Sequence, residues 1–295
     1  MKPHLPLEQQ VDLLQTRGLV IGDKGLAQGV LGVVNYYRFT GYAIPFMISR
    51  EQFKTNVMFE HVLQAIRLDE RLRDLLAMAL EWIEIDFRTT FAYEHSKAYG
   101  ALGYKDNGNF QDKQKHGVTL TKVETEIENS REPFILHFKR KREDCPVWAM
   151  VEVVSFGSVV HLYKNMRPSD PSYIAIARHY EIRSDFLGSY MQHISVVRNL
   201  CAHHTRLWDK NFYGVRPLLS WKQAMLNVSN TQKLFYTVLL IYRLTRHLPT
   251  ICFDRSAWKN DVIALLKEFN KLPNCSPFSL MGIPDNGFES VWWES

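Results

Sequence analysis

Residues 59–99 read FEHVLQAIRLDERLRDLLAMALEWIEIDFRTTFAYEHSKAY, a stretch that contains neither glycine nor proline. Its apolar side chains recur at intervals of three and four, the pattern of a helix that buries one face. This stripe comprises Leu72, Leu75, Leu76, Ala79, Ile83 and Phe87. Because the stretch from Met58 to about Tyr99 exceeds a typical globular helix, we expect a break near Leu68–Asp69.

The rest of the chain carries the same helical period between capping and breaking residues. Helices are predicted at 7–17, ending at Gly18; at 24–34, capped by Asp23; from Asp185 through Val197, capped by Ser184; from Ser229 or Asn230 to His247; and from Ser256 to about Lys271. No run alternates with the period of two that marks a strand. The sequence therefore predicts an all-α fold.

The polar stretch 100–117, which contains several glycines, is predicted to be a surface loop and is a possible domain boundary. The segments on both sides of it are predicted to be helical, and neither has the features of a separate domain. We therefore expect one domain over 1–295. It would have an N-terminal lobe at about 1–57, a main body at about 58–272 and a C-terminal tail at 273–295.

Composition excludes several classes of protein. Of the 295 residues, 46% are hydrophobic and 23% are charged, which predicts a packed core. The formal charge of +5 is compatible with an anionic partner without proving one. No apolar run has the length of a membrane helix, and the N-terminus lacks a signal-peptide pattern. Four dispersed cysteines form no CxxC motif, so we expect a cytoplasmic protein without zinc knuckles or disulfides.

The stretch VVRNLCAHHTRLWDK, residues 196–210, is the strongest candidate for a site. If the preceding helix continued, Asn199 and His203 would share a face, whereas Arg198 and His203 would lie about 140° apart. The long Arg198 side chain could still reach a phosphate held near His203. With His204 and Arg206, the stretch gathers cationic and titratable groups over about two turns.

These residue types suit RNA cleavage. A histidine with an ordinary pKa near 6.5 can take the proton from a 2′-hydroxyl or give one to the leaving 5′-oxygen. A guanidinium can hold the phosphate and stabilise its developing charge. Such a reaction needs no metal or cofactor, and none is expected. The spacing alone is weak evidence, because about two Arg-to-His pairs at these offsets are expected by chance and four occur.

A resemblance to a known family is more specific evidence than the spacing. The stretch RNLCAHHTRLWDK resembles the signature of the AbiD/AbiF type of abortive-infection phage-resistance proteins, a branch of the HEPN superfamily. Four further stretches match in the family's order: KPHLPLEQQVDLLQTRGL, VNYYRFTGYAIPF, PVWAMVEVVSFGSVVHLYKNM and MGIPDNGFESVWW. The chain departs from the family pattern at Asp209, where asparagine is more usual, and at Pro6, where threonine often caps the first helix.

The resemblance implies a HEPN-like helical bundle with an additional N-terminal lobe and a metal-independent endoribonuclease site. The family motif maps onto Arg198, Asn199 and His203; His204 also has an allowed spacing. HEPN proteins commonly pair two such motifs across a homodimer. The resemblance also implies a toxin-like protein restrained by a partner, such as a structured noncoding RNA.

A second pair at an allowed spacing is Arg88 and His95, which would share one face of an unbroken helix. It could be a degenerate second motif with a catalytic or RNA-binding role. We favour instead a surface arginine paired with Glu84 or a nearby acid, and a histidine on the helix flank. The pair Arg131 and His137 is interrupted by Pro133 and is discounted.

Three other features have a structural explanation that we favour over a functional one. The aromatic cluster around Arg38 could stack bases, but we expect it to pack a helix-to-loop junction; it comprises Tyr36, Tyr37, Phe39, Tyr42 and Phe46. The basic run 139–142 could track a phosphate backbone, but suits a solvated helix end. Trp292 and Trp293 are expected to dock on the body.

Taken with the resemblance, the motif implies a prokaryotic anti-phage protein that cleaves RNA to leave a 2′,3′-cyclic phosphate and a 5′-hydroxyl. The alternative is a non-catalytic RNA-binding or phage-sensing scaffold with the same helical fold. A further alternative is a subunit that acts only in complex with another protein.

Overall fold

The computed structural model describes residues 4–212, 231–289 and 293, and these fold into thirteen α-helices and one two-stranded hairpin. The helices are α1 Leu7–Thr16, α2 Lys24–Val34, α3 Tyr36–Ala43, α4 Phe59–Tyr99, α5 Lys113–Asn129, α6 Pro133–Lys141, α7 Val147–Val153, α8 Phe156–Lys164, α9 Pro171–His179, α10 Ser184–Ala202, α11 Leu234–Leu244, α12 Arg255–Phe269 and α13 Pro277–Met281. The prediction of an all-α fold is confirmed. None of the helices in the described ranges has the length and apolarity needed to cross a membrane.

Helix α4 is the central element of the fold. Its 41 residues extend for about 60 Å at 1.5 Å per residue, and it contacts α3 and every one of α7–α12. The helix ends where Gly100 adopts a positive φ of 73°, a conformation that glycine reaches without a steric penalty. These seven helices therefore pack around a single long axis.

The predicted break near Leu68–Asp69 is wrong, since α4 continues through it without interruption. Asp69 is completely buried and pairs with Arg73, four residues further along the same helix, at 2.6 Å. The phenolic oxygen of Tyr42 also donates a hydrogen bond to this carboxylate at 2.7 Å. The residue at which the length of the stretch suggested a break is here a buried helix residue whose carboxylate has several partners.

The N-terminal lobe packs against the start of α4. Asp23 caps α2 as predicted, accepting a hydrogen bond from the Leu26 amide at 2.9 Å. A short antiparallel hairpin of β1 Met47–Ser49 and β2 Gln52–Phe53 follows α3, and the sequence did not predict it.

The aromatic cluster of this lobe mainly packs the core, as predicted. Phe39, Tyr42 and Phe46 are buried, and Phe39 stacks on Phe59 of α4 with ring centroids 4.5 Å apart. Tyr37 is the exception, because it remains exposed. Packing thus explains most of a cluster that could have been a base-stacking surface.

Helix boundaries in the C-terminal half differ from prediction through local capping. Helix α12 begins at Arg255 because Asp254, rather than Ser256, accepts hydrogen bonds from the amides of Ser256 and Ala257. Helix α10 begins at Ser184 itself and has no side-chain cap.

Helix α11 ends at Leu244, before the predicted end at His247. The predicted starts at Ser229 or Asn230 lie outside the described residues. Trp293 is buried against Phe235 and Tyr242, which confirms the predicted docking; Trp292 lies outside the described residues.

The stretch 100–117 is not simply a surface loop. It forms two short 3₁₀ turns before α5 begins at Lys113, and Tyr104 and Phe110 within it are buried. Two aromatic anchors therefore pack this glycine-rich segment against the body.

Candidate functional site

The candidate motif lies where α10 ends and the chain turns. Helix α10 stops at Ala202, and the amide of His203 makes the last helical hydrogen bond, to the Asn199 carbonyl at 2.9 Å. His204 then adopts a positive φ of 54°, a left-handed conformation that histidine enters more readily than most residues. Both histidines are exposed beyond the helix end.

Asp69 of α4 anchors the second half of the motif. Its carboxylate accepts hydrogen bonds from the backbone amides of Leu207, at 3.1 and 3.2 Å, and Trp208, at 2.9 Å. The side chains of Leu207 and Trp208 are fully buried. One buried carboxylate thus fixes the chain just after the two exposed histidines.

A cleft of about 710 Å³ lies between α4, α7 and α10 beside this turn. Its lining comprises Glu70, Arg73, Asp74, Ala77, Glu81, Glu84, Ile85, Arg88, Glu152, Arg198, Cys201, Ala202 and His204. Among the predicted site residues the cleft brings together Arg88, Arg198 and His204, whereas His203 is not part of the lining.

Glu84 holds the two arginines in the cleft. Its Oε2 lies 3.0 Å from Nε of Arg198, and its Oε1 accepts hydrogen bonds from Nε and Nη2 of Arg88 at 3.1 and 2.5 Å. The Arg198 side chain remains 45% exposed, and its Nη1 donates to Oδ1 of Asn199 at 3.3 Å. Arg198 is therefore held on one side and open to solvent on another.

Arg88 is a buried residue, not the surface residue that we predicted, although its predicted pairing with Glu84 is present. Its Nη1 donates to the Val154 carbonyl at 2.8 Å and to the Val151 carbonyl. These contacts tie α4 to α7. Arg88 therefore borders the cleft mainly as a structural group.

His95 lies away from the cleft. Its ring is fully buried, stacked on Phe91 at 5.2 Å and flanked by Tyr99 and Phe110. Burial lowers the pKa of His95 to about 4. The predicted position on the helix flank is therefore wrong, and the structure does not bring His95 together with Arg88.

Arg206 is also directed away from the cleft. Its Nε lies 2.7 Å from Oδ1 of Asp209, and its guanidinium lies over the ring of Tyr42 at 5.9 Å. Asp209, the residue that departs from the family pattern, thus forms an ion pair within the motif.

The lining of the cleft carries more negative charge than the sequence motif suggests. Of the lining residues in the described part of the chain, five carry carboxylates and three carry guanidiniums. The carboxylates belong to Glu70, Asp74, Glu81, Glu84 and Glu152. Since Arg73 pairs with Asp69 and Arg88 is buried on Glu84, Arg198 is the cleft arginine most available to an anion.

Cys201 lines the cleft but is unsuited to act as a nucleophile. It is 6% exposed, and burial raises the pKa of its thiol to about 12. A thiol with so high a pKa remains protonated near neutral pH. The imidazoles of the motif, those of His203 and His204, are exposed instead.

Sequence reasoning missed the role of Asp69 and the contact of Glu84 with Arg198. Asp69 has an arginine four residues later, the spacing of a helical ion pair, which is a signal that could have been noticed. The same spacing separates Glu84 from Arg88, the pair that the sequence did predict. Their second partners, Leu207 and Trp208 for Asp69 and Arg198 for Glu84, lie more than a hundred residues away.

Comparison with known proteins identifies the family. No curated protein and no solved structure shows significant similarity to the chain. The family of Abi-like proteins matches residues 29–209, a range that covers more than half of the chain and includes both α4 and the motif at the end of α10. This match supports a role in abortive infection. On this evidence the chain belongs to the family of Abi-like proteins.

Proposed function

We propose that this chain is a prokaryotic anti-phage protein of the AbiD/AbiF type and a HEPN endoribonuclease that arrests the infected cell by cleaving RNA. The observation that carries the proposal is the pair of exposed histidines that directly follow α10, one of which, His204, lines the same cleft as the half-exposed guanidinium of Arg198. The enzyme would act in the cytoplasm without a metal in the reaction.

In the proposed reaction, a neutral imidazole accepts the proton of a ribose 2′-hydroxyl. The 2′-oxygen attacks phosphorus as the bond from phosphorus to the 5′-oxygen breaks, and the leaving oxygen takes a proton from an imidazolium. The products are a 2′,3′-cyclic phosphate and a 5′-hydroxyl. Arg198 would stabilise the charge on the non-bridging oxygens, and Asn199 would orient Arg198 through their hydrogen bond.

The acting histidine is His203 or His204. The motif spacing favours His203, whereas the shared lining of the cleft favours His204. In a homodimer, two copies of the motif would supply one histidine as base and another as acid. RNA is then the substrate, and a structured noncoding RNA is a candidate regulator.

Single substitutions test this assignment. We expect alanine at the acting histidine to lower cleavage of mixed RNA by about 10²–10⁴-fold, the usual contribution of general acid–base catalysis. Arg198→Ala is expected to lower it about 10²-fold. Cleavage should be measured with EDTA present and the 3′ ends analysed for cyclic phosphate, alongside growth arrest in cells that express each variant.

His137→Ala is the matched control, because His137 is an exposed histidine far from the motif in sequence. It should leave both cleavage and growth arrest unchanged. Cleavage that survives in both His203→Ala and His204→Ala would contradict the catalytic assignment.

The second candidate is a non-catalytic scaffold that binds RNA or senses phage, and the acidic lining of the cleft favours its phage-sensing form. Five carboxylates around a phosphate site would repel RNA unless its backbone approaches from the Arg198 side. If purified wild-type protein binds RNA without cleaving it, and Arg198→Ala weakens that binding, the scaffold is the correct function.

Glu84 supplies a further prediction, because it holds Arg198 in place. Glu84→Gln is expected to lower kcat/KM for RNA about tenfold, because a loosened guanidinium no longer meets the transition state in one position. Glu81→Gln removes a charge from the same cleft without a described contact to Arg198, so it should not lower kcat/KM. Equal effects of the two variants would mean that charge, and not positioning, explains the role of Glu84.

A further inference from the structure

Three distant segments meet at the carboxylate of Asp86. Asp86 belongs to α4, His179 is the last residue of α9, and His247 follows α11. Nε2 of His179 lies 3.0 and 3.2 Å from the two carboxylate oxygens, and Nε2 of His247 lies 3.0 Å from Oδ2. Two imidazoles thus converge on one carboxylate across more than 150 residues of sequence.

This set has the composition and dimensions of a transition-metal site. One donor atom from each residue lies within 4.8 Å of the other two. Zinc binds imidazole nitrogen and carboxylate oxygen at about 2.0–2.2 Å, which places neighbouring ligands of a tetrahedron roughly 3.3 Å apart. The observed separations between nitrogen and oxygen need only small shifts to admit an ion.

Neighbouring side chains hold the three proposed ligands in position. The buried hydroxyl of Tyr180 donates a hydrogen bond to Oδ2 of Asp86, the type of contact that orients a metal-binding carboxylate. The rings of His179 and His247 lie 4.2 Å apart, and Tyr180 packs edge-on against both. The His179 side chain is 37% exposed, so an ion and a water ligand can enter from solvent.

We propose that Asp86, His179 and His247 bind one Zn²⁺ ion, with water as the fourth ligand. The ion would join α4, the end of α9 and the segment after α11 into one unit. Asp86 lies 200° around α4 from both Glu84 and Arg88, so it is on the opposite side of the helix from the cleft. The ion therefore stabilises the fold and takes no part in RNA cleavage.

The test uses the purified full-length chain, stripped of metal and then titrated with ZnCl₂. We expect one equivalent of Zn²⁺ per chain to remain after desalting, measured by elemental analysis. The Tm should rise by roughly 4 °C at a zinc concentration a hundredfold above Kd. Co²⁺ in place of Zn²⁺ should give the visible absorption of a tetrahedral site.

Four variants define the ligands. His179→Ala and Asp86→Asn should each abolish stoichiometric binding and the zinc-dependent rise in Tm. Tyr180→Phe, which removes only the outer hydrogen bond, should weaken zinc binding about 10–100-fold. His137→Ala should bind zinc like the wild type.

Wild-type protein that retains no zinc and whose Tm does not respond to it would overturn the proposal and leave Asp86 as the partner in a cluster of ion pairs. Zinc binding that persists in both His179→Ala and Asp86→Asn would also overturn it. These readouts do not depend on RNA cleavage, so the zinc site and the nuclease can fail separately.

Discussion

Asp69→Asn is expected to lower the free energy of unfolding by about 3–5 kcal/mol, the cost of leaving a buried charge without its partner. Arg73 is 6% exposed and lies 2.6 Å from Asp69, so the substitution leaves a mostly buried guanidinium without its charged partner. Asparagine keeps nearly the same shape but loses the charge. Urea unfolding of the two proteins at pH 7 measures the difference.

Asp12→Asn is the matched control for this prediction. Asp12 also forms an ion pair, with Lys24 at 2.8 Å, but both side chains are more than half exposed. Water and salt screen such a pair, so its removal should cost less than about 1 kcal/mol. A loss of similar size in the two variants would show that burial of Asp69 does not determine its contribution.

Asp69→Asn should also loosen the motif that follows α10. Asp69 accepts hydrogen bonds from the Leu207 and Trp208 amides, and asparagine offers one acceptor oxygen where the carboxylate offers two. Amide hydrogen exchange at these two residues should therefore accelerate more than elsewhere in the fold. If the nuclease proposal holds, cleavage should fall as well, because the histidines at 203 and 204 lose their fixed attachment.

The sequence predicts those parts of this fold that depend on neighbouring residues. The apolar stripe along 59–99 and the cap at Asp23 act within one or two turns, and both predictions are confirmed. Competition between adjacent capping residues is harder to judge. The sequence therefore suggested Ser256 as the start of α12, whereas Asp254 caps the helix. Such errors move a boundary by a residue without changing the architecture.

Features that depend on distant partners could not be predicted from local patterns. The length of α4 made a break near Asp69 reasonable, but the buried contacts of Asp69 with Tyr42 and the Trp208 amide stabilise the helix there. The same limit applies to the site. The sequence suggested Arg198 and the two histidines as candidates, whereas the contact of Glu84 with Arg198 is known only from the fold.

Acidification should destabilise the protein strongly, because two histidines are buried in their neutral form. Burial lowers the pKa of both His95 and His193 to about 4, against an ordinary value of 6.5. Between these values the unfolded chain binds protons that the folded chain does not, so stability falls as pH falls. Relative to pH 8, the loss at pH 5 is about 2 kcal/mol for each histidine.

His95→Phe separates this effect from the titration of carboxylates. The ring of His95 lies among Phe91, Tyr99 and Phe110, so phenylalanine suits the site and cannot take up a proton. The variant should differ little from the wild type at pH 8 and be about 2 kcal/mol less sensitive to the change to pH 5. His137→Phe, at an exposed position, should follow the wild-type curve. If the curves of His95→Phe and wild type stay parallel from pH 8 to 5, His95 is not held neutral by burial, and the acid sensitivity must come from other groups.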